Sequence, residues 1–164
     1  MKTLTIVRHA KSSWDHPGLS DRERPLNKRG ERDAPLMGQR VRENGIRPSL
    51  ILSSPATRAW ATARIIAAAI TYPIEFLQRE KSLYHASVDA ILNVIIAQDP
   101  GFNSLMVVGH NPGLTDFANY LSPGLTNNLP TAGVVSVTFD QDDWDLFARP
   151  PTELLLYDYP KKHR

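Results

Sequence analysis

The sequence predicts an α/β fold, in the form of a three-layer α/β/α sandwich around a mostly parallel sheet. Short apolar runs rich in Val, Ile and Leu alternate along the chain with segments of helical periodicity, as in strands joined by crossover helices. The strand segments are apolar almost throughout, as expected for strands that helices cover on both faces. With 164 residues the chain is long enough for one substantial core, so we expect residues 1–164 to form a single domain.

Six strand segments and four helical segments support this prediction. The predicted strands are Lys2–Arg8, Pro48–Ser53, Ile74–Leu77, Ser104–Val108, Val134–Phe139 and Glu153–Tyr157. The predicted helices run from Asn27 to Asn44, from Ser53 to Ile70, from Ser87 to Asp99 and from Pro112 to Leu121. The connection from Ala10 to Arg24 is polar and contains Pro17 and Gly18, which indicates a loop.

Residues at the helix starts explain these limits. Asn27 and Ser87 are suited to accept hydrogen bonds from the free N–H groups of a first helical turn. The run Ser53-Ser54-Pro55 predicts a serine-capped start with proline in the first turn. Pro35 lies inside the first helix and is expected to kink or divide it, because proline removes one hydrogen bond of the helical ladder.

The composition is that of an ordinary globular protein and argues against several classes of function. The net charge is only +2 and the cations are scattered, which argues against a nucleic-acid partner. The absence of cysteine excludes disulfides, thiolate zinc sites and a catalytic cysteine, and it fits a reducing compartment. No run approaches the roughly 20 apolar residues of a membrane-spanning helix, so we expect a cytoplasmic protein without a membrane partner.

Basic side chains follow three of the predicted strands at the point where each strand ends. Arg8 and His9 end the first strand, Arg58 lies in the first turns of the helix after the second, and His110 follows the fourth. In an open α/β sheet, ligands bind outside the carboxyl ends of the strands. Two arginines and two histidines in that position predict a site that holds a phosphoryl group.

The same motifs, in this order, resemble those of the histidine phosphatase superfamily, the phosphoglycerate-mutase-like proteins. They are Arg8-His9, the run Ser53–Arg58 and Gly109-His110-Asn111. Within the superfamily, the sequence is most similar to the short phosphohistidine phosphatases of the SixA type. That likeness lies in Arg8–Ser12 and in Asp21, three positions before Arg24-Pro25-Leu26. The similarity extends from Lys2 to about Tyr157.

The resemblance implies a phosphoglycerate-mutase-like fold without a large cap domain, and a catalytic role for four residues. His9 is expected to be the nucleophile that carries the phosphoryl group as a covalent phosphohistidine. Arg8 and Arg58 are expected to donate to the phosphoryl oxygens, with His110 as the fourth group. No metal or other cofactor is implied, since the arginines supply the positive charge.

The general acid is left open between two carboxyl groups. Glu80 lies in the connection where ester-cleaving members of the superfamily carry a glutamate, but the residues around it differ from theirs. Asp21 in the first loop is the other candidate, and the nearby Arg24 is a candidate for substrate binding. A phosphohistidine releases an imidazole whose conjugate acid has a pKa near 6.5, so it needs less help from an acid than an alkoxide does. A phosphohistidine in a protein is therefore the favoured substrate.

Three alternatives remain open from the sequence alone. The same centre suits a small phosphorylated metabolite as substrate, and the pocket also suits a phosphate-binding module without turnover. A metal-dependent hydrolase using His9, His16 and His110 is the third alternative.

Residues outside the motifs are expected to have structural roles or none. His16 and His85 are expected to lie in loops without chemistry, and Trp14 to be an anchor packed on the domain or a substrate contact. The basic tail at about 160–164 is expected to be frayed and solvated.

Overall fold

A six-stranded sheet forms the centre of the computed structural model, which describes residues 1–164. Its strands are β1 (Lys2–Arg8), β2 (Leu50–Ser53), β3 (Gln78–Arg79), β4 (Ser104–Gly109), β5 (Val134–Phe139) and β6 (Thr152–Asp158). The strand order is β3-β2-β4-β1-β5-β6. The first four strands of this order pair in parallel, whereas β5 and β6 add antiparallel strands at one edge. The sheet is therefore mostly parallel, as predicted.

Helices cover both faces of the sheet, which confirms the three-layer prediction. The four helices are α1 (Lys28–Glu43), α2 (Thr57–Ala69), α3 (Val88–Ile96) and α4 (Gly113–Leu121). Side chains of α1 and α2 pack with Val7 and Ile51 in one apolar core. Side chains of α3 and α4 pack with Leu4 and Ile6 in the other. Neighbouring residues of β1 thus face opposite cores, which explains why this strand is apolar almost throughout.

The predicted caps of α1 and α3 are confirmed. The Asn27 side chain accepts a hydrogen bond from Gly30 N at 2.8 Å, and Ser87 Oγ accepts one from Ala90 N at 3.2 Å. The predicted division of α1 at Pro35 is wrong, since the helix runs through it over 16 residues. Pro35 lies on the exposed face, where water can satisfy the carbonyl group that loses its partner.

Two other predictions about local structure are wrong. The segment Ile74–Phe76 forms a 3-10 turn rather than a strand, and only Gln78–Arg79 pairs with β2. The apolar side chains of this segment are not held by the core, since Phe76 is 62% exposed. Helix α2 begins at Thr57 without a side-chain cap, and Ser54 instead contributes to the cavity described below.

The chain end is ordered, so the prediction of a frayed tail is also wrong. Residues Pro160–His163 form a 3-10 turn. His163 Nε2 lies 2.8 Å from Asp158 Oδ1, and Arg164 Nη2 lies 2.9 Å from Asp33 Oδ2. Both carboxylates are almost fully buried, and buried charges are stable only with partners. The basic side chains of the tail supply those partners.

The sheet register brings the ends of three strands together. Arg8 of β1 is paired with Gly109 of β4, and Ser53 of β2 is paired with Val108 of β4. The residues that follow these strands therefore emerge side by side at the carboxyl edge of the sheet. None of the helices combines the length and the apolar composition that a membrane-spanning segment requires.

Candidate active site

A cavity of about 270 Å³ lies where β1, β2 and β4 end. It brings together all four residues that the motifs single out, although they come from positions 8 to 110 of the chain. The lining side chains are mostly polar: Arg8, His9, Lys11, Ser12, Trp14, Asp21, Arg24, Arg58, His85, His110, Asn111 and Thr131.

His9 is held in the neutral form with one ring nitrogen free. Its Nδ1 lies 2.7 Å from the carbonyl oxygen of Ala10. Because a carbonyl oxygen only accepts, we assign the proton to Nδ1, which leaves the lone pair on Nε2. The pKa of His9 is lowered to about 3, chiefly by burial and also by the positive charges of Arg58 and Arg8, against the effect of that hydrogen bond. The imidazole is therefore uncharged at neutral pH, with a nitrogen lone pair that is free to react.

Of the two motif arginines, Arg58 is buried and Arg8 is half-buried, and both retain unused donors. Arg8 Nη1 donates to the carbonyl oxygen of Leu129 at 2.9 Å. Arg58, 2% exposed, donates from Nη1 to the carbonyl oxygen of Asp21 and from Nη2 to Asp21 Oδ2 at 3.0 Å. Each guanidinium group has five N–H donors, and the Nε atoms of both are buried without a partner. These side chains can therefore bind a further acceptor without losing their present contacts.

His110 is held by the serine that was expected to cap α2. Its Nε2 lies 2.7 Å from Ser54 Oγ, which also accepts from Ala56 N at 3.2 Å. If the hydroxyl donates to Nε2, the ring carries its proton on Nδ1. That atom is buried without a partner. Burial lowers the pKa of His110 to about 3, and nearby His9 and Arg58 contribute in the same direction.

Three buried nitrogen atoms of cavity-lining side chains thus lack a partner in the protein: Arg8 Nε, Arg58 Nε and His110 Nδ1. A buried donor without an acceptor destabilises a fold by about 1–3 kcal/mol. The His9 and His110 rings lie close together, with centroids 5.1 Å apart. Unused donors beside a free imidazole nitrogen are what a tetrahedral oxyanion requires.

Asp21 lines the cavity as a charged partner of the arginines. Its Oδ2 accepts from Arg58 Nη2 at 3.0 Å, from Tyr84 Oη at 2.7 Å and from His85 Nε2 at 3.2 Å. The hydrogen bond from Tyr84 and the neighbouring Arg58 hold the pKa of Asp21 well below its usual range, against the effect of burial. An aspartate that stays ionised is a poor proton donor, so its contacts favour a positioning role over that of an acid.

Arg24 occupies the outer wall of the cavity beside an exposed indole. Its Nε and Nη2 donate to Asp21 Oδ1 at 3.2 and 3.1 Å, and Nη1 donates to Ser12 Oγ at 2.8 Å. The guanidinium carbon lies 3.5 Å from the centroid of the Trp14 ring. Trp14 is 74% exposed, so the alternative of a packed anchor is wrong and this residue stands at the rim.

Glu80, the other acid candidate, does not line this cavity. Its side chain accepts from Ser82 N at 3.2 Å, where it caps a short 3-10 turn. It faces a separate hollow beside α3, together with Asn93 and Gln98. The carboxyl group therefore caps this short turn, a role that the sequence around it did not indicate.

His85 and Tyr84 are part of the site, and the expectation that His85 has no chemical role is not supported by its position. The His85 ring lies 4.1 Å from that of Tyr84 and 5.2 Å from that of His110, measured between centroids. His85 adopts a positive φ of 51°, which turns its side chain toward Asp21. No pattern in the sequence signals this backbone conformation, so these two residues could not be found from the sequence.

The chain belongs to the histidine phosphatase superfamily, branch 1, whose family model matches residues 4–81. An uncharacterized chloroplastic protein of Arabidopsis thaliana is 33% identical over 154 residues, which span 88% of this chain and 69% of the relative. The resemblance seen in the motifs is thereby confirmed, and the class of protein is that of phosphatases acting on phosphorylated substrates.

Solved structures give the more particular likeness. A candidate phosphohistidine phosphatase SixA from Agrobacterium tumefaciens superposes with a TM-score of 0.78 at 27% identity, over 97% of this chain and 98% of that one. The protein histidine phosphatase SixA in complex with tungstate superposes with a TM-score of 0.81 at 22% identity, over 99% of each chain. The second likeness concerns the fold alone. Both support the predicted fold without a large cap domain.

Proposed function

We propose that this chain is a metal-independent phosphohistidine phosphatase that acts on a protein through a covalent intermediate on His9. One observation carries the proposal: a neutral His9 with a free Nε2 lies in a cavity whose side chains hold three unpartnered buried nitrogen atoms. Arg8, Arg58 and His110 are the groups that we assign to the phosphoryl oxygens.

The first half of the reaction transfers the phosphoryl group to His9. The Nε2 lone pair attacks phosphorus while the bond from phosphorus to the substrate imidazole breaks. The other nitrogen of the substrate ring carries a proton, so the ring leaves as neutral imidazole with the electron pair of the broken bond. Charge on the three equatorial oxygens is stabilised by the guanidinium groups and by His110, so catalysis consists chiefly of positioning and electrostatics. Because Arg8 and Arg58 are already fixed by Leu129 and Asp21, little reorganisation is required.

The second half returns His9 to its initial state. A water oxygen attacks phosphorus, the bond between phosphorus and Nε2 breaks with its electron pair returning to Nε2, and orthophosphate leaves with both water protons on its oxygens. The hydrogen bond from Nδ1 to Ala10 keeps the ring in one orientation throughout. The same nitrogen therefore accepts and releases the phosphoryl group.

The position of the carboxyl groups supports an N–P bond as the substrate. Glu80 faces another hollow, and Asp21 is held ionised by Tyr84 and Arg58. An alkoxide leaving group needs a proton from an acid, whereas a leaving imidazole has a conjugate acid with a pKa near 6.5. A cavity without a protonated carboxyl group is therefore better suited to phosphohistidine than to a phosphate ester.

The proposal is tested by trapping the intermediate. The protein is mixed with a ³²P-labelled phosphohistidine peptide, quenched within the first turnover, and digested to map acid-labile phosphate. We expect the label on His9 and none in His9→Ala, while His16→Ala, which alters an exposed loop histidine, serves as control and keeps both label and turnover. Turnover is expected to be unchanged in EDTA.

Two results would contradict the proposal. Label on a residue other than His9 would exclude the assigned nucleophile. Faster cleavage of small phosphate esters than of the peptide, abolished by Glu80→Gln, would exclude the assigned substrate class.

A further inference from the structure

A second cavity, of about 290 Å³, adjoins the candidate active site and is lined by cations. We call it the basic groove and define it by Arg8, Lys11, Arg29, Lys161 and Arg164. Arg8 and Lys11 also line the active-site cavity, so the two cavities share a wall. A group bound in the basic groove would therefore lie next to a phosphoryl group on His9.

The cations of the basic groove come from three separate parts of the chain. Lys11 lies in the loop after β1, Arg29 in the first turn of α1, and Lys161 and Arg164 in and just after the 3-10 turn that follows β6. Like charges that are gathered from distant segments repel one another unless anions lie among them. The repulsion among these cations therefore lowers the stability of the folded protein, and such local costs are common at functional sites.

One buried carboxylate lies beneath the groove and does not balance its charge. Asp33 is 1% exposed and pairs with Arg29 at 3.6 Å, Arg32 at 3.2 Å and Arg164 at 2.9 Å. These contacts fix two of the groove arginines in place, which lowers the entropy lost when they bind a ligand. The ammonium groups of Lys11 and Lys161 make no hydrogen bond or ion pair within the protein, so both are available to a ligand.

We propose that the basic groove binds carboxylate side chains that flank the phosphohistidine of the substrate protein. This inference rests on the proposed function and adds the class of protein segment that the site selects. Five cations around a cavity as large as the catalytic one suit several carboxylates better than a single further phosphate. Arginine pairs with carboxylates through two parallel hydrogen bonds, and an acidic segment is drawn to such a surface from a distance.

The test compares two phosphohistidine peptides and one small substrate. The peptides have the same length, but one carries aspartate and glutamate around the phosphohistidine where the other carries asparagine and glutamine. Phosphoimidazole, which has no flanking groups, reports on the catalytic cavity alone. For the wild-type protein we expect kcat/KM to be about tenfold higher for the acidic peptide than for the neutral one, equivalent to about 1.4 kcal/mol.

The decisive variant is Lys161→Glu, with Arg64→Glu as its control. Arg64 is exposed on α2, lines neither cavity, and gives the same change in net charge. We expect Lys161→Glu to abolish the preference for the acidic peptide while kcat/KM for phosphoimidazole and the neutral peptide stays within about twofold. Arg64→Glu is expected to leave the preference intact.

Several outcomes would overturn this inference without touching the proposed function. They are equal turnover of both peptides by the wild-type protein, an equal effect of the two variants, and a preference for a small bisphosphate over the acidic peptide. A failure of the proposed function looks different, because then neither peptide nor phosphoimidazole is hydrolysed. In that case calorimetry with the unphosphorylated acidic peptide still tests the basic groove. The inference requires that this peptide bind the wild-type protein and that Lys161→Glu weaken its binding.

Discussion

At the scale of single residues, the site places a neutral imidazole, the proposed nucleophile, beside charged arginine and aspartate side chains. His9 is uncharged because it is buried among arginines, and the charge of those arginines is offset at Asp21 rather than at the ring. Asp21 joins Arg58 and Arg24 through opposite carboxylate oxygens. We therefore propose that Asp21 positions both guanidinium groups while the imidazole stays free to react.

Replacing Asp21 by asparagine tests this positioning role. Asp21→Asn removes the charge that holds Arg58, so we expect kcat/KM to fall about tenfold or more through misplacement of that donor. The loss is expected to be similar for phosphoimidazole and for an aryl phosphate ester, because no proton donation is removed. Steady-state kinetics with both substrates measure it.

Asp15→Asn provides the control, since Asp15 is an exposed carboxylate of the same loop that does not line the cavity. Activity of Asp21→Asn within about twofold of wild type would contradict the positioning role. A loss confined to the ester would instead identify Asp21 as the general acid.

At the scale of elements, the first turn of α1 supports the loop that follows β1. The carbonyl oxygen of Lys11 accepts from Asn27 N at 3.0 Å. A Cβ atom on Gly30 would lie only 2.1 Å from the same oxygen. The helix can approach the loop this closely because residue 30 has no side chain. The backbone that carries Lys11 between the two cavities thus depends on one glycine.

Gly30→Ala is expected to destabilise the protein although alanine is the better helix former. The intrinsic preference favours alanine by about 1 kcal/mol, but the clash forces backbone to shift, which costs about 1–3 kcal/mol or more. Urea unfolding of Gly30→Ala measures the net change in the free energy of unfolding. We expect kcat/KM to fall together with this free energy. Gly18→Ala is the control, because no atom lies within 4 Å of its added Cβ. An unchanged or increased free energy of unfolding would show that α1 is not packed as described.

At the scale of the whole molecule, two buried histidines couple the stability of the fold to pH. His9 is 8% exposed and His110 is 3% exposed. Both have a pKa of about 3 in the folded protein, against about 6.5 in an unfolded chain. Between these values the unfolded chain binds protons that the folded chain does not. Stability is therefore lost as the pH falls from about 6.5 toward 3.

The effect is measurable by urea unfolding at a series of pH values. At pH 5 we expect the free energy of unfolding to be lower than at pH 7 by an amount on the order of 2 kcal/mol for each histidine. His9→Asn is expected to remove the share of one histidine from this dependence, and His16→Asn, on the exposed loop, serves as the control. An identical pH dependence in His9→Asn and the wild-type protein would contradict the low pKa of His9.

Much of the fold could be predicted because its signals are local. The strands β1, β4 and β5 and the caps Asn27 and Ser87 follow from short apolar runs and from residues within one turn of a helix. The predicted third strand Ile74–Leu77 was misplaced because Ile74 and Phe76 stay exposed and only Leu77 reaches the core, and a local pattern does not show which apolar residues become buried. The same limit explains why Ser54, expected to cap a helix, is found on His110 instead.

The sequence by itself determined the α/β order of elements, the family, and the four motif residues at the strand ends, since each depends on neighbours along the chain. Only the tertiary structure decided what surrounds them. The bond of Asp21 to Arg58 spans 37 positions, that to His85 spans 64, and the pair of Arg164 with Asp33 spans 131. Such pairs depend on how distant segments of the chain pack against each other, and a local sequence pattern does not show which segments come into contact.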